Sequence, residues 1–127
     1  MVEDRSEARR QVLFDVLRHS WCAATSIDRA WSPANPALGQ CAVTALIVQD
    51  HLGGGLVRAA VGQVSHYWNR LPSGDIDLTR EQFARFAPTR ISIERRERLL
   101  ANSETRNRYE LLRTAVEAEL ALKEHVA

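Results

Sequence analysis

The sequence predicts an α+β fold in which a buried central helix packs on a small antiparallel sheet of about three strands, flanked by N- and C-terminal helices. Three observations predict it. Residues 41–52 are apolar nearly all round until Gln49 and run into Gly53-Gly54-Gly55, the pattern of a buried helix with a glycine stop. Residues 56–78 hold short β-branched and aromatic runs broken at Gly62-Gln63 and Pro72-Ser73-Gly74, which is hairpin chemistry. Both ends of the chain carry apolar residues at spacings of three and four against charged faces, as amphipathic helices do.

Taken in order, the first helix is expected over 6–22, with Val12, Leu13, Val16, Leu17 and Trp21 on its apolar side. Residues 25–39 hold two prolines and a glycine without an apolar period, so they read as a loop. The central helix begins at Cys41. Strands are expected over 56–61, 64–71 and 75–78. Thr79-Arg80-Glu81-Gln82 has the spacing of a capping box, which predicts a short helix through Phe86, ended by Pro88. Residues 92–100 are a further short helix candidate. A long helix over 103–125 carries the stripe Tyr109, Leu111, Leu112, Val116, Leu120 and Leu122, its Glu and Arg residues forming a solvated face.

A chain of 127 residues leaves little room for a second core, so residues 1–127 are read as a single domain. Seventeen basic against sixteen acidic residues give a formal charge of +1, so nothing overall draws the protein to nucleic acid or to an anionic membrane. Met1-Val2-Glu3-Asp4-Arg5-Ser6 offers no apolar secretion signal, and no run approaches the roughly 18 apolar residues that span a bilayer. A cytoplasmic location is expected, and with it thiols rather than a disulfide at Cys22 and Cys41. Two cysteines are too few for a closed zinc site, and no metal or cofactor is expected. The arginine-rich C-terminal helices leave a homodimer open.

Chemistry centres on Cys41. The free N–H groups and dipole at a helix start favour negative charge and would stabilise a thiolate there. The preceding Gly39-Gln40 step lets the backbone turn, so that N–H groups near Cys41, with Gln40, can face an oxyanion. The competing reading is a small buried hydrophobe, which cysteine often is. His66 lies on a strand whose alternation puts His66, Trp68 and Arg70 on one face and Tyr67 and Asn69 on the other. If the hairpin closes at Pro72-Ser73, Asp77 falls opposite Trp68 and diagonal to His66, on the same face, where a carboxylate can fix the imidazole tautomer. Asp75 is the second candidate, with a turn residue as its plain reading. Trp31 and Trp68 are candidates for a substrate-binding wall. His51 reads as a helix-end residue, and His19 and His125 as surface residues without partners.

Two resemblances follow from these residues. The stretch Trp31-Ser-Pro-Ala-Asn-Pro-Ala-Leu-Gly-Gln-Cys-Ala-Val-Thr-Ala-Leu-Ile-Val-Gln-Asp50, with Ser65-His-Tyr-Trp-Asn-Arg-Leu71 and Asp75-Ile-Asp-Leu-Thr-Arg-Glu-Gln-Phe83, resembles the YunG-like family of small bacterial proteins over roughly residues 20–112. More distantly, the order of Cys at a helix start, His-x-Trp on a strand and Asp-x-Thr after a turn is similar to transglutaminase-like and papain-like cysteine enzymes. That second resemblance implies a Cys-His-Asp triad on a papain/transglutaminase-like core, with Cys41 as nucleophile, His66 as base and Asp77 as orienting acid. The expected function is then a cysteine-dependent hydrolase or acyltransferase acting on an amide or thioester of a small-molecule or peptide substrate. The alternatives are a non-catalytic binding or regulatory module on the same scaffold, and a metal site at Cys41, His66 and Asp77.

Overall fold

The computed structural model describes the backbone of residues 2–126 and the side chains of residues 7–124. The side chains of the first six residues and of His125, considered above, lie outside the described ones. Helix α1 (Val2–Ser20) is followed by a short 3-10 turn (Ala23–Thr25), a loop and helix α2 (Cys41–Leu52). Strands β1 (Gly55–Val61), β2 (Val64–Leu71) and β3 (Gly74–Ile76) come next, then a 3-10 turn (Arg80–Gln82). Strand β4 (Thr89–Glu94) and helices α3 (Arg96–Ala101) and α4 (Ser103–Val126) complete the chain. The protein is α+β, with one antiparallel sheet in the order β3-β2-β1-β4. Among the described residues no helix is long and apolar enough to cross a membrane.

Helix α2 occupies its expected span because its side chains have nowhere polar to face: Val43, Ala45, Leu46, Ile47 and Val48 are all buried. They meet Val16 and Leu17 of α1, Leu112 and Val116 of α4, and Leu56 of β1. Gly53, at φ +72°, stops the helix and donates its N–H to the Gln49 carbonyl at 2.9 Å. The sheet divides by alternation into two faces. Tyr67 and Asn69 look toward the helices, where Asn69 Nδ2 donates to the Ala45 carbonyl at 2.9 Å. His66 and Trp68 look the other way, toward Val57, Ala59 and the Phe83–Phe86 segment. Two-residue turns set the registers, since Val61 pairs with Val64 and Leu71 with Gly74.

The structure departs from expectation in three places. Residues 89–94 form a fourth strand, where a helix was expected to begin at 92; α3 starts only at Arg96. Ile91 and Ile93 alternate with Ser92 and Glu94, and the second edge of β1 needs a backbone partner, which β4 supplies. Arg90 and Ile91 stand against the single residue Ala59, a bulge that places Arg90 at φ +54°. The helix expected through Phe86 is only the Arg80–Gln82 turn. On α4, Leu111 and Leu122 are exposed, because the buried stripe follows Tyr109, Leu112, Val116 and Leu120.

Candidate functional site

Cys41 opens α2 and is buried, with 7% of the residue exposed. Its position rests on the loop before it. Gly39, at φ +72°, passes so close to residues 26–28 that a Cβ there would lie 2.3 Å from Ser26 Oγ. Gln40 is fully buried, its Oε1 accepting from Thr25 Oγ1 at 2.9 Å and its Nε2 donating to the Cys22 carbonyl at 3.0 Å. The Gln40 amide therefore ties the loop to the start of α2, and this structural commitment corrects its expected oxyanion role. The donors that remain near Cys41 are the first-turn N–H groups, which have no partner inside the helix.

Strand β3 pairs only with Asn69, Arg70 and Leu71, so on that side Ser65 and His66 have no strand neighbour. Cys41 comes alongside this free stretch, its thiol directed at the Ser65 carbonyl with Sγ 3.9 Å away. His66 is fully buried on the far face of the sheet. Its Nε2 lies 2.6 Å from Asp77 Oδ2. The other carboxylate oxygen, Asp77 Oδ1, accepts the Thr79 N–H at 3.2 Å and faces Thr79 Oγ1 at 3.4 Å. Asp77 is thus held from behind while it holds His66. Phe83 and Phe86 stand edge-on to the imidazole at 4.9 and 5.7 Å between centroids and keep water off it.

Burial by itself pushes the His66 imidazolium toward losing its proton. The Asp77 hydrogen bond and the neighbouring Cys41 side chain outweigh burial, and the pKa is pushed up to about 9. Cys41 is near enough to act on the ring in this way, yet its Sγ lies 3.9 Å from the Ser65 carbonyl oxygen and His66 Nδ1 is buried with no hydrogen-bond partner. Thiol and imidazole are therefore adjacent but not joined. Loose alignment of this kind is common before substrate arrives.

The remaining expected residues separate. Asp75 does not approach His66: it accepts from Trp68 Nε1 at 2.9 Å and pairs with Arg70 at 2.9 and 3.0 Å. Trp68, expected to line a substrate wall, packs instead against His66 and Phe86 on the face away from α2. Trp31 donates its indole N–H to the Pro36 carbonyl at 2.8 Å and closes its own loop rather than walling the cleft at Cys41. Cys22 and Cys41 are both free thiols, Cys22 exposed. Among the described residues no group of three or more His, Cys, Asp or Glu side chains is placed to hold a metal ion.

A cleft of about 450 Å³ opens at Cys41 on the helix side of the sheet. Its walls include Arg58, Tyr67, Glu94, Arg98 and Arg108, none of which sequence reasoning singled out. The alternation that separates Tyr67 from His66 was the available signal for Tyr67. The arginines come from β1, α3 and α4, and only the packing of those elements brings them together. Arg96 fixes that packing, bonding Asp50 of α2 at 2.7 Å and the Tyr109 hydroxyl of α4 at 3.0 Å.

The sequence model of a family described as "YunG protein" matches residues 9–121. A curated relative from Bacillus subtilis (strain 168), described as "Uncharacterized protein YunG", is 38% identical over 68 residues, which is 54% of this chain. The matched region spans 57% of that relative's length. No solved structure matches.

Proposed function

The chain belongs to the YunG protein family, and on that premise we propose that it is a cysteine-dependent hydrolase or acyltransferase acting on an amide or thioester, on a core of the papain/transglutaminase kind. One observation carries this reading: a buried histidine held by Asp77 at 2.6 Å on one nitrogen, with the other nitrogen unpartnered beside a helix-start cysteine. A structural histidine buried this deeply would ordinarily satisfy both nitrogens.

In the proposed reaction the proton given up by Cys41 rests on His66, held as imidazolium by Asp77, while Sγ attacks the substrate carbonyl. First-turn N–H groups of α2 receive the developing oxyanion. His66 returns the proton to the departing amine or thiolate as the carbon–leaving-group bond breaks, leaving a Cys41 thioester. Water, or an acceptor nucleophile, then attacks that thioester, with His66 taking its proton and returning it to Sγ. Asp77 positions His66 throughout.

The test is alkylation by iodoacetamide with peptide-level mass spectrometry. Exposure alone favours Cys22; a nucleophilic Cys41 reverses that order and loses its advantage in His66→Gln. Labelling of Cys41 slower than Cys22 in the wild-type protein sinks the reading. A second reading, a non-catalytic binding module, draws on the Cys41 thiol being buried and directed at the Ser65 carbonyl. It predicts that Cys41→Ala leaves partner capture unchanged, and loss of capture on that change would count against it.

A further inference from the structure

The cleft at Cys41 is unevenly charged. Among the described residues Glu94 is its one acid, and that carboxylate is already engaged, with Oε1 accepting the Arg95 N–H at 2.9 Å and Oε2 4.0 Å from Arg58. Arg58 has a second partner in Ser65 Oγ at 3.1 Å. Arg98, on α3, makes no ion pair or side-chain hydrogen bond among the described residues. Arg108, on α4, bonds only Thr105 Oγ1, at 3.3 Å, and no acid among them. Tyr67 adds a hydroxyl that none of the described residues engages; burial raises its pKa, so it stays a neutral donor.

A lone arginine on a helix surface is ordinarily just solvated. Here two guanidinium groups from different helices line one concavity of about 450 Å³ together with the cysteine, a volume within the range of small-molecule sites. Arginine's planar fork matches the paired oxygens of a carboxylate or phosphate. We infer that this cleft selects a substrate bearing an oxyanion group, a carboxylate or a phosphate, gripped by Arg98 and Arg108 while its acyl carbon lies at Cys41. The inference rests on the proposed role of Cys41 and deepens it by naming the substrate class.

The experiment compares alkylation by iodoacetate with alkylation by iodoacetamide, the Cys22 rates in the same protein serving as reference. The iodoacetate preference at Cys41 is expected to exceed that at Cys22 and to fall about fivefold in the Arg98→Gln, Arg108→Gln double variant, as loss of two part-solvated charge contacts implies. Because His66 is intact in both proteins, its charge cancels from the comparison. Glutarate and inorganic phosphate, added as competitors, are expected to protect Cys41, the one effective at lower concentration identifying the group. An unchanged preference in the double variant, or protection by neither, overturns the inference. If Cys41 proves unreactive, the arm that remains is amide chemical-shift mapping of glutarate and phosphate on Cys41→Ala protein. Shifts at the cleft that vanish in the double variant uphold the anion site apart from catalysis, and their absence overturns it.

Discussion

The side-chain oxygen of Gln82 accepts the backbone N–H of Gly39 at 3.1 Å, joining the segment after Asp77 to the loop that delivers Cys41. Gln82 Nε2 meanwhile donates to the Thr79 carbonyl at 3.0 Å, so one amide spans both halves of the site. Gln82→Ala leaves the Gly39 N–H unpaired and should cost about 1 kcal/mol, read as a lower urea midpoint. Acylation of Cys41 should slow with it. Gln82→Met, of similar size but without the acceptor, should fail to recover the stability, an outcome a purely steric role for Gln82 does not predict.

Two aspartates two residues apart make separable contributions. Asp77→Ala removes the partner of buried His66 and should slow Cys41 acylation about 100-fold. Asp77→Asn keeps an acceptor without the charge, so His66 should titrate below its wild-type value while the fold is retained. Asp75→Asn touches only the exposed Arg70 pair and Trp68 and should cost less than about 1 kcal/mol, with the acylation rate unchanged. Equal rate losses for Asp75 and Asp77 variants would remove Asp77 from the site.

Protonation of His66 links the site to stability. A pKa of about 9, above the ordinary 6.5, means that the folded state holds this proton more tightly than the unfolded chain does. The resulting stabilisation is complete below about 6.5 and is lost as pH rises through about 9. A shift of this size corresponds to roughly 3 kcal/mol. Urea midpoints measured from pH 6 to 10 should fall over that window, and the dependence should flatten in His66→Gln. Turnover should fall over the same rise, as the imidazolium that protonates the leaving group is depleted, whereas alkylation by iodoacetamide, which needs no acid, should persist.

Gly39→Ala tests the approach to Cys41. A side chain at φ +72° costs roughly 1–2 kcal/mol from backbone strain alone, and the clash with Ser26 adds to it. Ser26→Gly in the same chain should return the urea midpoint only in small part, because the Asp28 backbone nitrogen would still lie 2.7 Å from the new Cβ and the strain remains.

Much of this architecture is legible in the sequence because the chain punctuates itself. Central helix α2 is apolar on almost every side and ends at a glycine, which defines both its burial and its length. A closure at Pro72-Ser73, one of the turns the sequence allows, puts Asp77 near His66, and the choice between Asp77 and Asp75 is settled only by the register. What stayed hidden depends on elements distant in sequence. Strand β4 exists because β1 needs a second neighbour, a demand invisible in residues 89–94 alone. Gln40 and Trp31 have the chemistry of site residues, but their hydrogen-bond partners, Thr25, Cys22 and Pro36, lie in a loop with no periodicity to place them. The cleft arginines are three among many, and only the α3–α4 packing singles them out.

The shortness of β3 has a mechanical consequence. Because that strand ends before reaching His66, the cysteine borne by the helical layer and the histidine carried on the opposite surface of the sheet meet across a gap in the edge, each anchored to a different slab of the molecule. Their separation is therefore a gauge of how those slabs slide. Relative movement of α2 and β2 changes the approach of thiol to imidazole without requiring either core to repack. The arginine-lined cleft opens on the same cysteine, so whatever occupies it sits beside that seam.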